Sequence, residues 1–207
     1  MKGYHLIIGL IVFIFSGCGN EVSTNTKDGS ATITMAYLDG TWAEECLFIS
    51  SSSTSQETVV VFSDSGDNAT ISGIIYSGTN CNNKSYIVRI KINNISIGSK
   101  STLDTYQIVT KYTAVILDYT LEPSTTAVAT AFNNASFCGV TSWSSGSETS
   151  IAGKTCSSTT FSSVNDGFRD IVQMNSERTY IRTGNTSDLG SDGYPSSLYA
   201  NAYFKEN

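Results

Sequence analysis

Between residues 86 and 93 the side chains alternate, with Ile87 the one apolar residue on the polar phase. Tyr86, Val88, Ile90 and Ile92 fall on one phase and Arg89, Lys91 and Asn93 on the other. A period of two suits a strand with one buried face and cannot make the apolar stripe of a helix. Tyr106, Ile108, Thr110 and Tyr112 repeat the pattern, as do Val115, Leu117, Tyr119 and Leu121. Residues 58–62 are a dense β-branched run, joined to an expected second strand over 69–76 by Ser63-Asp64-Ser65-Gly66-Asp67-Asn68, a strong turn signal that predicts a hairpin. After Asn93-Asn94 the apolar phase slips to Ile95 and Ile97, which predicts a bulge or turn. Further strands are expected over 32–37, 41–49, 137–143, 149–156, 168–174, 179–182 and 198–204, with a long polar loop over 184–197. One helix interrupts them: Ala127, Val128, Ala131 and Phe132 recur at helical spacing over 126–134, behind a Ser/Thr cap. Roughly ten short strands with frequent turns predict an all-β fold, an antiparallel β-barrel with one short helix, or else a β-sandwich.

The start of the chain has another logic. Lys2 is followed by an almost wholly apolar run over 6–15, then by Ser16, Gly17 and Cys18. A positive start, an apolar core and small residues make a secretory signal. The run is about ten residues, against roughly 20 needed to cross a bilayer. Phe15-Ser16-Gly17-Cys18 resembles the bacterial lipobox. The resemblance implies cleavage before Cys18 and acylation, palmitate included, of the new terminus. No Asp follows Cys18, which favours the outer membrane of an enteric-type envelope. The expected organisation is a signal over 1–17, a polar lipid-anchored tether over 18–30 and a single β-domain over 31–207.

Removing 1–17 leaves 190 of 207 residues, enough to bury a sizeable core. His5, the only histidine, goes with the signal. The mature chain therefore has no imidazole for a triad or a metal. Its formal charge is −7, from 11 basic and 18 acidic side chains, with no basic run to hold nucleic acid or anionic lipid. The acyl anchor is thus the expected membrane contact, and no cofactor is expected. With Cys18 set aside, Cys46, Cys81, Cys138 and Cys156 remain, an even number in an oxidising compartment. Of the three connectivities four cysteines allow, Cys46–Cys81 and Cys138–Cys156 are favoured, because each pair would staple neighbouring strands. A zinc site of four thiolates would lack any C-x2-C pair.

Gly40-Thr41-Trp42, on an early strand of such a meander, resembles the G-x-W of lipocalins and the G-T-W of avidin-type barrels, both calycins. The resemblance implies that Trp42 closes one end of an up-and-down barrel under a late arginine, with Arg182 the better-placed candidate and Arg178 the other. A T-D-Y-like second lipocalin motif is missing. A looser likeness covers most of the mature chain. Trp42, the four cysteines, Phe132-Asn133, Trp143, Asp170-Ile171-Val172 and Pro195-Ser196-Ser197-Leu198 resemble a group of secreted bacterial lipoproteins. Tyr194 stands where that group usually has Arg before the Pro.

A small barrel can hold one ligand in its mouth or interior. Tyr86, Tyr106, Tyr112 and Tyr119 lie on the apolar phase of their strands and are the candidate lining of a site for a small apolar or amphipathic molecule. The same side chains could simply fill a core. Asp170 shares a phase with Phe168 and Val172, so it is expected inside, paired with Arg182 or Arg178. Glu44 and Glu45 adjoin on one strand and face opposite sides. No catalytic residue is assigned, and an enzyme is the least expected class. Asp64/Asp67 and Asp188/Asp192 lie in turns whose chemistry explains them without calcium. A lipid-anchored carrier is the first expectation. A surface interaction protein or adhesin with a filled barrel is the second, its protein partner unnamed.

Overall fold

A computed structural model describes residues 32–103 and 107–206. Cys18, the expected signal and tether, and Tyr106 lie outside the described residues. After a single turn of helix α1 (Met35–Leu38) come strands β1 (Gly40–Ala43), β2 (Leu47–Ile49), β3 (Thr54–Ser63), β4 (Asn68–Ser77), β5 (Asn83–Thr102) and β6 (Ile108–Pro123). Helix α2 (Thr126–Asn134) and the short strands β7 (Thr149–Ser150), β8 (Thr155–Cys156) and β9 (Thr159–Thr160) follow. Strands β10 (Gly167–Met174), β11 (Tyr180–Thr183) and β12 (Tyr203–Lys205) complete the set.

Eight of these strands close an antiparallel barrel. In spatial order β3, β4, β5, β6, β10, β11 and β12 follow one another, and β1 closes the ring by pairing with both β12 and β3. A closed eight-stranded antiparallel barrel with a short helix is compatible with the calycin fold. It leaves no continuous open edge, and its alternation puts every second side chain inside.

The registers show how the alternation is used. Trp42 lies opposite Val60, Val60 opposite Ile71, Ile71 opposite Ile90, and Ile90 opposite Tyr119. All belong to one apolar cluster inside the barrel, with Ile116, Val172, Met174 and Ile181 from the far wall. The slip after Asn93 is a bulge, with a register shift between Asn93 and Ser96 and Asn94 at φ 53°. It turns both Ile92 and Ile95 into the same core, three residues apart instead of two.

Four expectations are corrected. Residues 32–37 are not a strand: Met35 and Leu38 turn into the barrel end, and Tyr37 and Leu38 N–H donate to Thr34 O at 3.1 and 3.2 Å. The two strands expected over 106–112 and 115–121 are one, β6, long enough to pair with β5, β7 and β10. Conversely, 41–49 breaks into β1 and β2 around Cys46. The expected strand over 137–143 is a tight 3-10 turn at Phe137–Gly139, followed by loop.

Residues 124–166 form one excursion between β6 and β10. Its α2 runs over the residues expected, with Thr125 Oγ1 accepting from Val128 N–H at 3.3 Å. Phe132 stacks on Phe137 at 4.7 Å and meets Trp143 edge-on at 5.5 Å, while the Asn133 amide brackets the Trp143 backbone from both sides. This second core rests on Val88 and Leu121, which lie on the inner face of β5 and β6. Those positions are on the side of the barrel away from α1, so the excursion covers part of that end. Both disulfides pair as expected, Cys46–Cys81 and Cys138–Cys156. Neither joins two neighbouring strands: Cys46 lies in the connection between β1 and β2 and Cys81 in the turn between β4 and β5, while the second bridge joins the 3-10 turn to β8.

Candidate functional site

At the α1 end the barrel is closed by apolar packing. Trp42 is wholly buried, and its Nε1–H donates to Leu38 O at 2.6 Å, tying β1 to the helical turn. The cation over its ring is Lys205, with Nζ 5.1 Å from the centroid. Arg182, the residue expected there, directs Nε and Nη2 to Tyr199 O at 3.0 and 2.7 Å, and Arg178 lies 3.6 Å over the Tyr37 ring. Lys205 reaches the indole because it sits directly opposite Trp42 in the β1–β12 register.

Moving away from α1, the inner wall becomes polar. Glu44 N–H donates to Thr58 O at 2.9 Å, continuing the β1–β3 register, so Glu44 follows Trp42 inward and Thr58 follows Val60. Glu44 is 4% exposed although it is a carboxyl side chain, whereas Glu45 faces out. Asn201 Nδ2 donates to Glu44 Oε1 at 2.5 Å. Glu44 Oε2 and Asn201 Oδ1 are buried and have no hydrogen-bond partner among the described residues. Burial lifts the Glu44 carboxyl above its ordinary range; the Asn201 amide and the nearby Thr58 hydroxyl oppose the shift without cancelling it.

Asp170 is a second buried carboxyl, and it lies inside as its phase requires. Oδ1 accepts from the N–H groups of Ile171 (2.7 Å) and Gly184 (3.1 Å), and Oδ2 accepts from the Tyr112 hydroxyl (3.1 Å). All three donors are neutral, and burial outweighs them, pushing the carboxyl up to about 7. Tyr203, on the inner wall beside Ile181, has its phenol raised by burial and then by the charges of Glu44 and Asp170. The Tyr199 phenol is raised by burial and by the same two carboxyls. Both carboxyls thus raise the Tyr199 and Tyr203 phenols, while the Tyr199 hydroxyl itself meets Thr186 Oγ1 at 3.0 Å.

The four tyrosines named from the sequence do not form one lining. Tyr112 belongs to the Asp170 site. Tyr86 packs on Phe132 at 5.8 Å and Tyr119 on Phe161 at 5.3 Å, both under the excursion, and burial pushes each phenol up to about 12. Tyr106 lies outside the described residues. The sequence set Glu44 and Glu45 on opposite sides without showing which faced in, and Asn201 gave no signal, because it stands in an irregular stretch before β12.

The 184–197 loop folds onto the outer face of β6 and β10. Lys111 pairs with Asp192 at 2.6 Å, and Tyr194 lies beneath Lys111 (4.9 Å) and Arg169 (5.8 Å). An arginine at 194 would meet two like charges, so tyrosine suits this chain. Among the described residues, no group of three or more His, Cys, Asp or Glu side chains is placed to hold a metal ion, and no helix is long and apolar enough to cross a membrane. No family model and no curated protein matches the chain.

Proposed function

We propose that this is a lipid-anchored, non-enzymatic protein of the bacterial cell envelope, held through Cys18 at the outer membrane, whose barrel binds a small amphipathic molecule. The observation that carries the reading is the inner wall of the closed barrel at Glu44 and Asn201, where Glu44 Oε2 and Asn201 Oδ1 are buried with no hydrogen-bond partner among the described residues beyond the nearby Thr58 hydroxyl. A buried polar group without a partner costs of the order of 1–3 kcal/mol. Such an atom on an inner wall is suited to a ligand that completes it. The two disulfides fit an oxidising compartment.

Native mass spectrometry of residues 19–207, exported behind a conventional cleavable signal, tests the binding reading. The expected result is a stoichiometric excess mass, lost on denaturation, after incubation with a lipid extract. An unchanged apo mass would count against it. The anchor is tested separately: radiolabelled palmitate is expected to enter the parent chain and to be absent from Cys18→Ser, and equal labelling of both would exclude Cys18. A second reading, a surface interaction protein with a filled barrel, is favoured by the apolar packing around Trp42 and predicts the unchanged mass.

A further inference from the structure

We infer that the Glu44–Asn201 pair is a head-group subsite and that it takes a protonated amine. The inference deepens the ligand-binding reading and rests on it. The Asn201 amide is held with Nδ2 toward Glu44 Oε1 at 2.5 Å; reversing it would set two oxygens against each other. Among the described residues, Glu44 Oε2 and Asn201 Oδ1 are left without a partner; with Glu44 ionised, as a bound cation would hold it, both are acceptors, on side chains 4% and 9% exposed. A carboxylate, phosphate diester or carbonyl head would bring only further acceptors. A hydroxyl brings one donor. An ammonium brings three donors and no acceptor, which matches the two vacant acceptors.

Charge points the same way. The groups that bond or approach the Glu44 carboxyl are neutral, the Asn201 amide and the Thr58 hydroxyl. A buried carboxylate without a cation is costly, and a charge-assisted hydrogen bond is about twice as strong as a neutral one. The wall beside the pair is also thin. Thr58 is opposite Gly73, and Gly73 is opposite Val88, so one step of the inner face carries no side chain.

The test is calorimetric titration of n-octylamine, 1-octanol and octanoate into residues 19–207 at pH 7.5, with Glu44→Gln as the variant. The expected result is that octylamine binds at least tenfold more tightly than octanol, that octanoate is weakest, and that Glu44→Gln brings octylamine down to the level of octanol in the same variant. If octanol or octanoate binds as tightly as the amine, the head-group assignment falls and the ligand-binding reading survives. If none of the three binds, and the native mass is also unchanged, both fall. The comparison of the three ligands on the parent chain decides the matter even if Glu44→Gln fails to fold, which its thermal melt would show.

Discussion

Asp170 carries its consequence in a single side chain. Its carboxyl, ordinarily near 3.8, is held at about 7 in the folded barrel. Between those values the folded chain keeps a proton that the unfolded chain has released. Stability from this group is therefore fully present below about pH 4, is lost as pH rises toward 7, and is level above that. A difference of that size between the folded and unfolded chain corresponds to on the order of 4 kcal/mol. Glu44 is raised as well and adds the same sign. Glu148 is lowered, chiefly by its hydrogen bond from Lys91, and contributes the opposite slope below its ordinary pKa. Urea midpoints are expected to fall from pH 5 to pH 7.5. Asp170→Asn keeps an acceptor for Ile171 and Gly184 but no longer titrates; it is expected to flatten most of the slope and to be more stable than the parent at pH 8 by about 2 kcal/mol. An undiminished slope in the variant would assign the pH dependence elsewhere. Gly184 belongs to the same arrangement: a Cβ there would stand 2.4 Å from Asp170 Oδ1 and 2.5 Å from Pro195 Cγ, so only glycine lets its N–H approach the carboxyl.

At the scale of elements, α2 and α1 make a useful contrast. α2 could be read directly because both its cap at Thr125 and its apolar spacing are local properties. α1 could not, since Thr32 to Tyr37 alternates weakly and its single turn is held by Met35 and Leu38 packing into a barrel end that no local pattern announces. The excursion is a second core with its own staple. Cys138 and Cys156 are 18 residues apart, and closing a loop of that size contributes about 3 kcal/mol. Replacing both by alanine is expected to speed amide exchange across α2 and 137–161 while the amides of β3, β4 and β5 keep their protection. Equal loss of protection in both regions would mean that the excursion and the barrel unfold as one unit.

At the scale of the molecule, the inward phases of β5, β6 and β10 were set by the sequence, because the two-residue period is a local covalent fact and each strand must hide one face. The bulge at Asn94, the hairpin at 63–68, α2 and, by parity and compartment, the presence of disulfides followed from the same kind of local rule. Closure was a tertiary decision. Whether β1 pairs with β3 alone or also with β12 depends on how far the twisted sheet curls, and residues more than 150 apart in sequence then come to share one wall. That is why Lys205, and not Arg182, stands over Trp42: its place opposite the indole comes from the β1–β12 register. It is also why Glu44 and Asn201 could not be joined from the sequence. Each is an ordinary polar residue near the end of a short strand, and only closure buries the two together and bonds one to the other.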